Sequence, residues 1–253
     1  MGHRSAPINA VGISLVAIMM MGGCAARVVS ESKLPTFANV DHATALGILE
    51  ERARVVKTVS ARAILTLTRP DGQTVRLDGA VAMAPPERMR LRAWKFNQAV
   101  LDLTLTPDGL WVLTPDDPSR RQKVLPASMS AARLAREWAL LSGSFFGQSD
   151  LKVREAQGKL AVSKGLEDRR TVVCDVDRRT LTPRRYRMFD PSGKERFSLA
   201  LSEYGLFNGI PWPTRLSATS AEGRIDITLK DIELNGELPA TAFAPPRRAE
   251  KQP

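Results

Sequence analysis

The chain of 253 residues has only two cysteines and two histidines, and this scarcity excludes several classes of protein. Two cysteines cannot build a disulfide-rich scaffold, and with two histidines they leave little for a structural zinc site. The content of 43% hydrophobic and 25% charged residues is ordinary for a globular protein, which argues against disorder of the whole chain. The formal net charge of +10 indicates anionic partners but carries no information about the fold.

The sequence also lacks the groupings that catalysis requires. His42 stands beside Asp41 at the start of a predicted helix, with no nucleophile motif around it, so a surface or capping role is expected. Cys174 lies in the apolar run 171–174, which is typical of a buried, inert thiol. Neither a glycine-rich phosphate loop nor a nucleotide fingerprint is present. We therefore expect a binding protein and not an enzyme, with no cofactor, no metal site and no nucleic-acid partner.

Residues 1–23 have the anatomy of a bacterial signal peptide. A polar start is followed by the apolar run 10–21, which at about a dozen residues is too short to cross a bilayer as a helix. The alternative is a plain secretory signal with a cysteine nearby by chance. However, Met21-Gly22-Gly23-Cys24 resembles the lipobox of bacterial lipoproteins. That resemblance implies cleavage before Cys24, lipidation of its sulfur and stable anchoring, and the absence of aspartate at position 25 implies the periplasmic face of the outer membrane.

The remaining chain reads as a tether, one domain and a tail. Residues 24–40 suit a tether, 41–244 a single domain, and the basic, proline-containing residues 245–253 a disordered tail. Apolar positions at three- and four-residue spacing predict a helix from Asp41, its N-cap, to Thr58. A second amphipathic helix is predicted over 128–141, with Leu134, Trp138 and Leu141 on one face.

Short alternating segments separated by proline and glycine turns predict antiparallel strands in the rest of the domain. Because so many strands must close, stack or be covered, the fold class is mainly β (α+β). A filled barrel or sandwich without a cavity remains open at this point. The predicted strands are 60–68, 74–84, 88–96, 99–106, 110–114, 150–155, 159–163, 171–177, 184–190, 195–204, 212–219 and 223–234.

The order of these elements resembles the bacterial lipoprotein-localisation (LolA/LolB-like) family. Residues 87–96 with 101–105 look like a strand pair of the outer-membrane acceptor, and 134–143 look like its tryptophan-containing lid helix. The resemblance implies an incomplete antiparallel β-barrel, or half-barrel, under a helical lid. It also implies a cavity that shields the acyl chains of lipoproteins, a monomer, and a periplasmic carrier protein as a partner.

Particular residues are expected to carry this function. The acceptor's exposed leucine has no counterpart in 94–98, but Trp94 and Phe96 stand there and aromatic rings favour the membrane interface; the alternative is that both rings pack in the core. The lid helix would contribute Leu134, Trp138 and Leu141. The strand positions expected to line the acyl-chain cavity are Leu91, Leu101, Leu103, Leu105, Phe197, Leu199, Leu201, Ile225 and Ile227.

Three binding roles are consistent with this sequence. The first is reception or localisation of lipoproteins at the outer membrane. The second is a structural or assembly role, in which the same scaffold binds a protein or an envelope polymer. The third is transport of a lipid or glycolipid. The arginines between 169 and 196 would contact anionic envelope groups in one interpretation and form an evenly solvated surface in the other.

Overall fold

The computed structural model describes residues 34–113 and 145–252, with 167 and 248 excepted. The predicted signal peptide, Cys24 and the predicted lid helix with Leu134, Trp138 and Leu141 lie outside the described residues. Within the described ranges, no helix combines the length and the apolarity needed to cross a membrane.

The described residues form one helix and thirteen strands, and β2, β8 and β12 have the bounds that the sequence predicted. The helix ends at Arg54 and is therefore shorter than the predicted helix, which extended to Thr58. The elements are α1 (His42–Arg54), β1 (Val59–Thr68), β2 (Thr74–Ala84), β3 (Arg88–Lys95), β4 (Gln98–Thr106), β5 (Gly109–Leu113), β6 (Lys152–Ala156), β7 (Lys159–Gly165), β8 (Thr171–Asp177), β9 (Pro183–Phe189), β10 (Glu195–Phe207), β11 (Ile210–Ser220), β12 (Gly223–Leu234) and β13 (Glu250–Gln252).

All strands belong to one antiparallel sheet in the order β13-β5-β4-β3-β2-β1-β12-β11-β10-β9-β8-β7-β6. Two meanders, β1–β5 and β6–β12, are joined by pairing of β1 with β12. The ends of the order are β13 and β6, so the sheet is not closed. The expectation of an incomplete antiparallel barrel is confirmed.

One face of the sheet is apolar over its whole width. A row of facing residues runs from Leu201 through Leu216, Ile227 and Leu65 to Leu77, crossing β10, β11, β12, β1 and β2. Because side chains alternate along a strand, the intervening residues point to the opposite face. We call the apolar face the inner face and the opposite one the outer face.

Helix α1 is fixed at both ends. Asp41 caps its N-terminus, as predicted, by accepting a hydrogen bond of 2.8 Å from the amide of Thr44. Beyond its C-terminus, the side chain of Asn235 accepts from the amide of Lys57 at 2.7 Å and donates to the carbonyl of Val55 at 2.9 Å. The helix is therefore tied to the end of β12, and Ala45 and Leu49 are buried.

Two segments that were expected to be irregular pack on the domain. In the predicted tether, Leu34 is buried and the amide of Phe37 donates to the carbonyl of Arg179 at 2.7 Å. In the tail, which was expected to be disordered, residues 250–252 form β13 and pair with β5. A short strand of this kind has no pattern of its own, because its hydrogen bonds depend on the free edge that β5 offers.

The chain between β12 and β13 crosses the outer face of the sheet. Arg90 lies on that face, since its neighbours Met89 and Leu91 are buried on the inner side. Its guanidinium donates to the carbonyl of Ala242 at 3.2 Å. At the end of the crossing, the ammonium of Lys251 lies 5.5 Å from the centre of the Trp111 ring. We call residues 236–252 the C-terminal strap.

Candidate ligand-binding cleft

An open cleft lies between α1 and the inner face of the sheet. Its empty volume, including the part open to solvent, is about 570 Å³. One wall is formed by Leu49, Arg52 and Ala53 of α1 together with Val56, which follows the helix. The other residues come from the β8–β9 turn, the inner sides of β9, β10 and β11, and a segment before β6: Phe146, Leu181, Thr182, Pro183, Tyr186, Leu201, Tyr204, Pro211, Trp212 and Pro213.

Of the predicted cavity residues, Leu201 lines this cleft. The others lie on the inner face but do not contribute to it. Leu91, Leu101, Leu103, Phe197 and Leu199 are buried in the hydrophobic core, whereas Leu105, Ile225 and Ile227 are half-buried.

Alternation identified Leu201 but not Tyr204 as a cleft residue on β10, because the strand changes phase between them. Glu203 has a φ of 53°, in the left-handed region, and the buried residues Leu201 and Tyr204 on either side of it are three positions apart. Both line the cleft, although strict alternation would place them on opposite faces. The sequence does not reveal this change, since Glu203 has no local signal for a positive φ.

Phe146 and Tyr186 line the cleft near β9 and form an aromatic cluster with Phe145. The rings of Phe145 and Tyr186 meet edge to face at 5.9 Å between centres, and Phe145 meets Phe146 in the same way at 5.4 Å. Tyr186 is 1% exposed. Burial raises the pKa of its hydroxyl well above the ordinary value, with smaller contributions from Cys174 and Tyr204. This aromatic cluster therefore carries no charge at neutral pH.

Arg52 is the charged residue of the cleft. Its Nη1 donates to the carbonyls of Thr180 at 2.9 Å and Leu181 at 2.7 Å, and its guanidinium carbon lies 5.1 Å from the centre of the Phe37 ring. Burial lowers the pKa of this guanidinium from its ordinary value. The residue could have been found by sequence, because Leu49, Arg52, Ala53 and Val56 have the i, i+3, i+4, i+7 spacing of one helical face.

Trp212 contributes a polar group for which the described part of the chain provides no partner. Its indole Nε1 is buried, and no acceptor among residues 34–113 and 145–252 lies within hydrogen-bond distance. Buried indole N–H groups are normally satisfied, because an unpaired donor costs about 1–3 kcal/mol. Tyr204, by contrast, donates its hydroxyl proton to the carbonyl of Pro183.

The two aromatic residues of the loop predicted to face the membrane differ in their exposure to solvent. Phe96 lies at the tip of the β3–β4 hairpin with a φ of 51° and is 88% exposed, the one large exposed hydrophobic side chain among the described residues. Trp94 is half-buried on the outer face, where it pairs with Asp78 across β2 and β3. Only Phe96 therefore presents its ring to solvent.

The arginines between 169 and 196 are largely neutralised by carboxylates. Arg187 pairs with Asp175 at 2.8 Å, Arg185 with Glu195 at 2.9 Å and Arg196 with Asp190 at 2.6 Å. Further pairs join Arg170 to Asp168, Arg178 to Glu155 and Arg184 to Asp177. This arrangement favours the interpretation of a solvated surface and leaves no dense positive patch from these residues.

The residues considered for chemistry lie apart from the cleft. His42 is exposed, with its Nε2 3.5 Å from Glu155 Oε2. Cys174 is fully buried, and this burial raises the pKa of its thiol well above the ordinary value. In the described part of the chain, no cluster of histidine, cysteine and acidic residues is suited to hold a metal ion.

Solved structures share this fold at low sequence identity. A DUF1329 family protein from Desulfovibrio piger matches with a TM-score of 0.59 at 12% identity, over 79% of this chain and 96% of its own. A domain assigned to outer-membrane lipoprotein sorting from Vibrio parahaemolyticus matches with a TM-score of 0.56 at 11% identity, over 81% and 97%.

A LolA superfamily protein from Nitrosomonas europaea matches with a TM-score of 0.53 at 14% identity, over 79% of this chain and 97% of its own. No protein-family model and no curated protein sequence matches the chain. The TM-scores establish a shared architecture, whereas sequence identities this low leave the activity open. The chain, with its open antiparallel sheet, therefore shares its overall fold with these three structures.

Proposed function

We propose that this protein is a lipid-anchored protein of the bacterial envelope that binds acyl chains in the cleft between α1 and the sheet. The observation that carries the proposal is the cleft itself, which is open and has a mainly apolar lining, as hydrophobic ligand sites do. Its lining combines aliphatic residues such as Leu49, Val56 and Leu201 with aromatic rings. Such a surface stabilises a bound chain by about 0.8 kcal/mol for each methylene removed from water.

The finer role in this proposal is reception or localisation of lipoproteins at the outer membrane. The lipobox-like residues 21–24 supply the anchor through Cys24, and the fold shared with a lipoprotein-sorting domain supports the choice of cargo. The partners are then the acyl chains of lipoproteins and a periplasmic carrier protein that delivers them.

The tip of the β3–β4 hairpin is the proposed membrane contact. The Phe96 ring is exposed, and the ammonium of the adjacent Lys95 lies 5.6 Å from its centre. An aromatic ring beside a cation suits the interface of a bilayer with anionic head groups. Trp94 flanks this contact without inserting, because it is half-buried on the outer face.

Acyl-chain binding is tested by filling the cleft. Ala53 lines the cleft from α1, whereas Glu50 is exposed on the same helix. We expect Ala53→Trp to abolish binding of a neutral hydrophobic dye to the mature chain carrying Cys24→Ser, and the matched control Glu50→Trp to retain it. Mass spectrometry of the extracted wild-type protein would identify the natural lipid. Equal dye binding by both variants, with no lipid extracted, would favour the assembly role.

The anchor and the hairpin are tested separately. Cys24→Ser should abolish metabolic labelling with palmitate and release the protein from the membrane fraction. With the anchor removed, Phe96→Ser should weaken binding to vesicles of phosphatidylethanolamine and phosphatidylglycerol, while the exposed control Gln98→Ser on the same hairpin should not. Membrane retention of the Cys24→Ser protein would argue against lipid anchoring.

A further inference from the structure

Arg52 differs from the other partly buried arginines of the molecule. Arg90, Arg187 and Arg178 each face a carboxylate, at 2.8, 2.8 and 3.3 Å respectively. Among the described residues no carboxylate pairs with Arg52, whose polar contacts are the neutral carbonyls of Thr180 and Leu181. A guanidinium held in an apolar cleft without a counter-ion is costly, because its lost hydration is not compensated by a negative charge.

Among the described residues, Trp212 adds a second donor without an acceptor on the β11 side of the same cleft. Its Nε1 is buried in the wall, and both residues line the cavity. The acceptors that the described residues provide for Arg52 are two carbonyls, and both accept from Nη1, which leaves Nε and Nη2 without a described partner. The cleft therefore combines a positive charge and a buried indole N–H, neither matched by an anion or acceptor in the described part of the chain, with a lining otherwise made of hydrocarbon and aromatic surface.

The ligand that complements this arrangement has two parts. Its head must carry oxygen acceptors and a negative charge, since a neutral ester or alcohol would satisfy the indole but leave the guanidinium uncompensated. Its tail must be apolar, since Leu49, Val56, Phe146 and Leu201 surround the rest of the cleft. A carboxylate and a phosphate meet the first requirement equally, because arginine binds both through paired N–H donors.

We propose that the cleft selects an acidic amphiphile, whose anionic head group binds Arg52 and accepts a hydrogen bond from Trp212 while its acyl chain fills the apolar part. This inference rests on the proposed function and specifies its ligand class. It assigns to Arg52 and Trp212 the choice of head group, and to the rest of the lining the affinity for the chain.

The test measures displacement of a neutral hydrophobic dye from the mature Cys24→Ser protein. The competitors are palmitate, hexadecanol and lysophosphatidylglycerol, which share one long chain and differ in the head. We expect both anionic competitors to displace the dye at concentrations at least about tenfold lower than hexadecanol, as one or two charge-assisted hydrogen bonds imply. Displacement by palmitate alone or by both anions supports the proposal and distinguishes a carboxylate from a phosphate source.

Substitutions at Arg52 and Trp212 test whether these residues cause the preference for an anionic head group. Arg52→Gln should bring the three competitors to nearly equal potency, Arg52→Lys should retain part of the preference, and Trp212→Phe should reduce it several-fold. Arg54→Gln is the matched control, since Arg54 lies on the same helix, is 70% exposed and pairs with Glu51. Thermal unfolding of each variant checks the fold, and Arg52→Lys and Trp212→Phe decide the matter if Arg52→Gln is unfolded.

Two different failures are distinguishable. If the wild-type protein does not bind the dye or any competitor, the proposed function itself is wrong. If it binds the dye but hexadecanol competes as well as palmitate, or if Arg52→Gln leaves the preference unchanged, acyl-chain binding stands and the selection of an acidic head group is overturned.

Discussion

Arg90 and Asp102 form a two-pronged ion pair on the outer face of the sheet, with Nε 2.9 Å from Oδ1 and Nη2 2.8 Å from Oδ2. The side chain of Asp102 is only 4% exposed, and Thr104 beside it donates a hydrogen bond of 3.3 Å to the same carboxylate. Arg90 also donates to the carbonyl of Ala242 in the C-terminal strap. The pair therefore fastens the strap to β3 and β4.

Removing one partner of this pair should destabilise the protein strongly. We expect Asp102→Ala to lower the free energy of unfolding by about 3–5 kcal/mol, because it leaves the Arg90 charge buried without compensation. Urea titration of the mature Cys24→Ser chain measures the loss. Limited proteolysis should also cut the strap faster in this variant.

Glu195 provides the control for Asp102. It forms a pair of similar length with Arg185, at 2.9 Å, but both side chains are more than a third exposed. Glu195→Ala should cost no more than about 1 kcal/mol, since exposed pairs contribute little. Equal losses in the two variants would contradict the assignment of a buried, strap-holding pair.

Gly79 in β2 leaves room for Leu65 in β1. A Cβ built at position 79 would lie 2.5 Å from Leu65 Cδ1 and 2.7 Å from the carbonyl oxygen of Arg92, and Leu65 is fully buried. We expect Gly79→Ala to reduce the free energy of unfolding by about 1–3 kcal/mol through overpacking. Gly47→Ala should have the opposite sign, because a Cβ there meets nothing within 4 Å and alanine favours the helix. Thermal and urea unfolding of both variants provide the comparison.

Asp177 makes stability depend on pH in the acidic range. Burial alone would raise the pKa of its carboxyl group, but hydrogen bonds from the amide and hydroxyl of Thr180, the charge of Arg184 and the amide of Arg179 outweigh it and lower the pKa below 3.8. A lowered pKa in the folded state means that the carboxylate stabilises the protein above the ordinary pKa and loses this contribution as the pH falls through the folded value.

The Asp177→Asn variant isolates this contribution. Its stability relative to the wild type should be lowest near neutral pH and should recover below about pH 4, where the wild-type carboxyl group becomes protonated. The difference between the two proteins is the quantity to measure, because Asp190 also has a lowered pKa and titrates in both. A difference that does not change between pH 7 and pH 2.5 would contradict the assignment.

Cys174 should be unreactive in the folded protein. Its thiol is fully buried in β8, and burial raises its pKa, so little thiolate is present at pH 8. With Cys24→Ser as background it is the remaining cysteine of the chain. We expect iodoacetamide to label it at least about a hundredfold more slowly in buffer than in urea, with a rate that follows unfolding. Rapid labelling in buffer would show that β8 opens readily.

The bounds of several strands could be predicted from the local sequence alone. The bounds of β2, β8 and β12 were predictable because alternation and turn residues are properties of neighbouring positions. The same holds for the cap at Asp41, whose side chain reaches only three residues ahead. Of the residues expected to line an acyl-chain cavity, Leu201 also lines the cleft between α1 and the sheet, whereas the assignment of such a cavity stays a prediction.

By itself, the sequence determined the mainly β fold class, the amphipathic helix at the start of the domain and the apolar inner face, because each follows from the period of hydrophobic residues. Only the tertiary structure decided that β1 pairs with β12, that the strap crosses the sheet to β5, and that Arg52 and Trp212 line one cleft. These relationships join residues more than a hundred positions apart. Their partners are selected by packing and hydrogen bonding in the folded molecule, for which no local pattern is required.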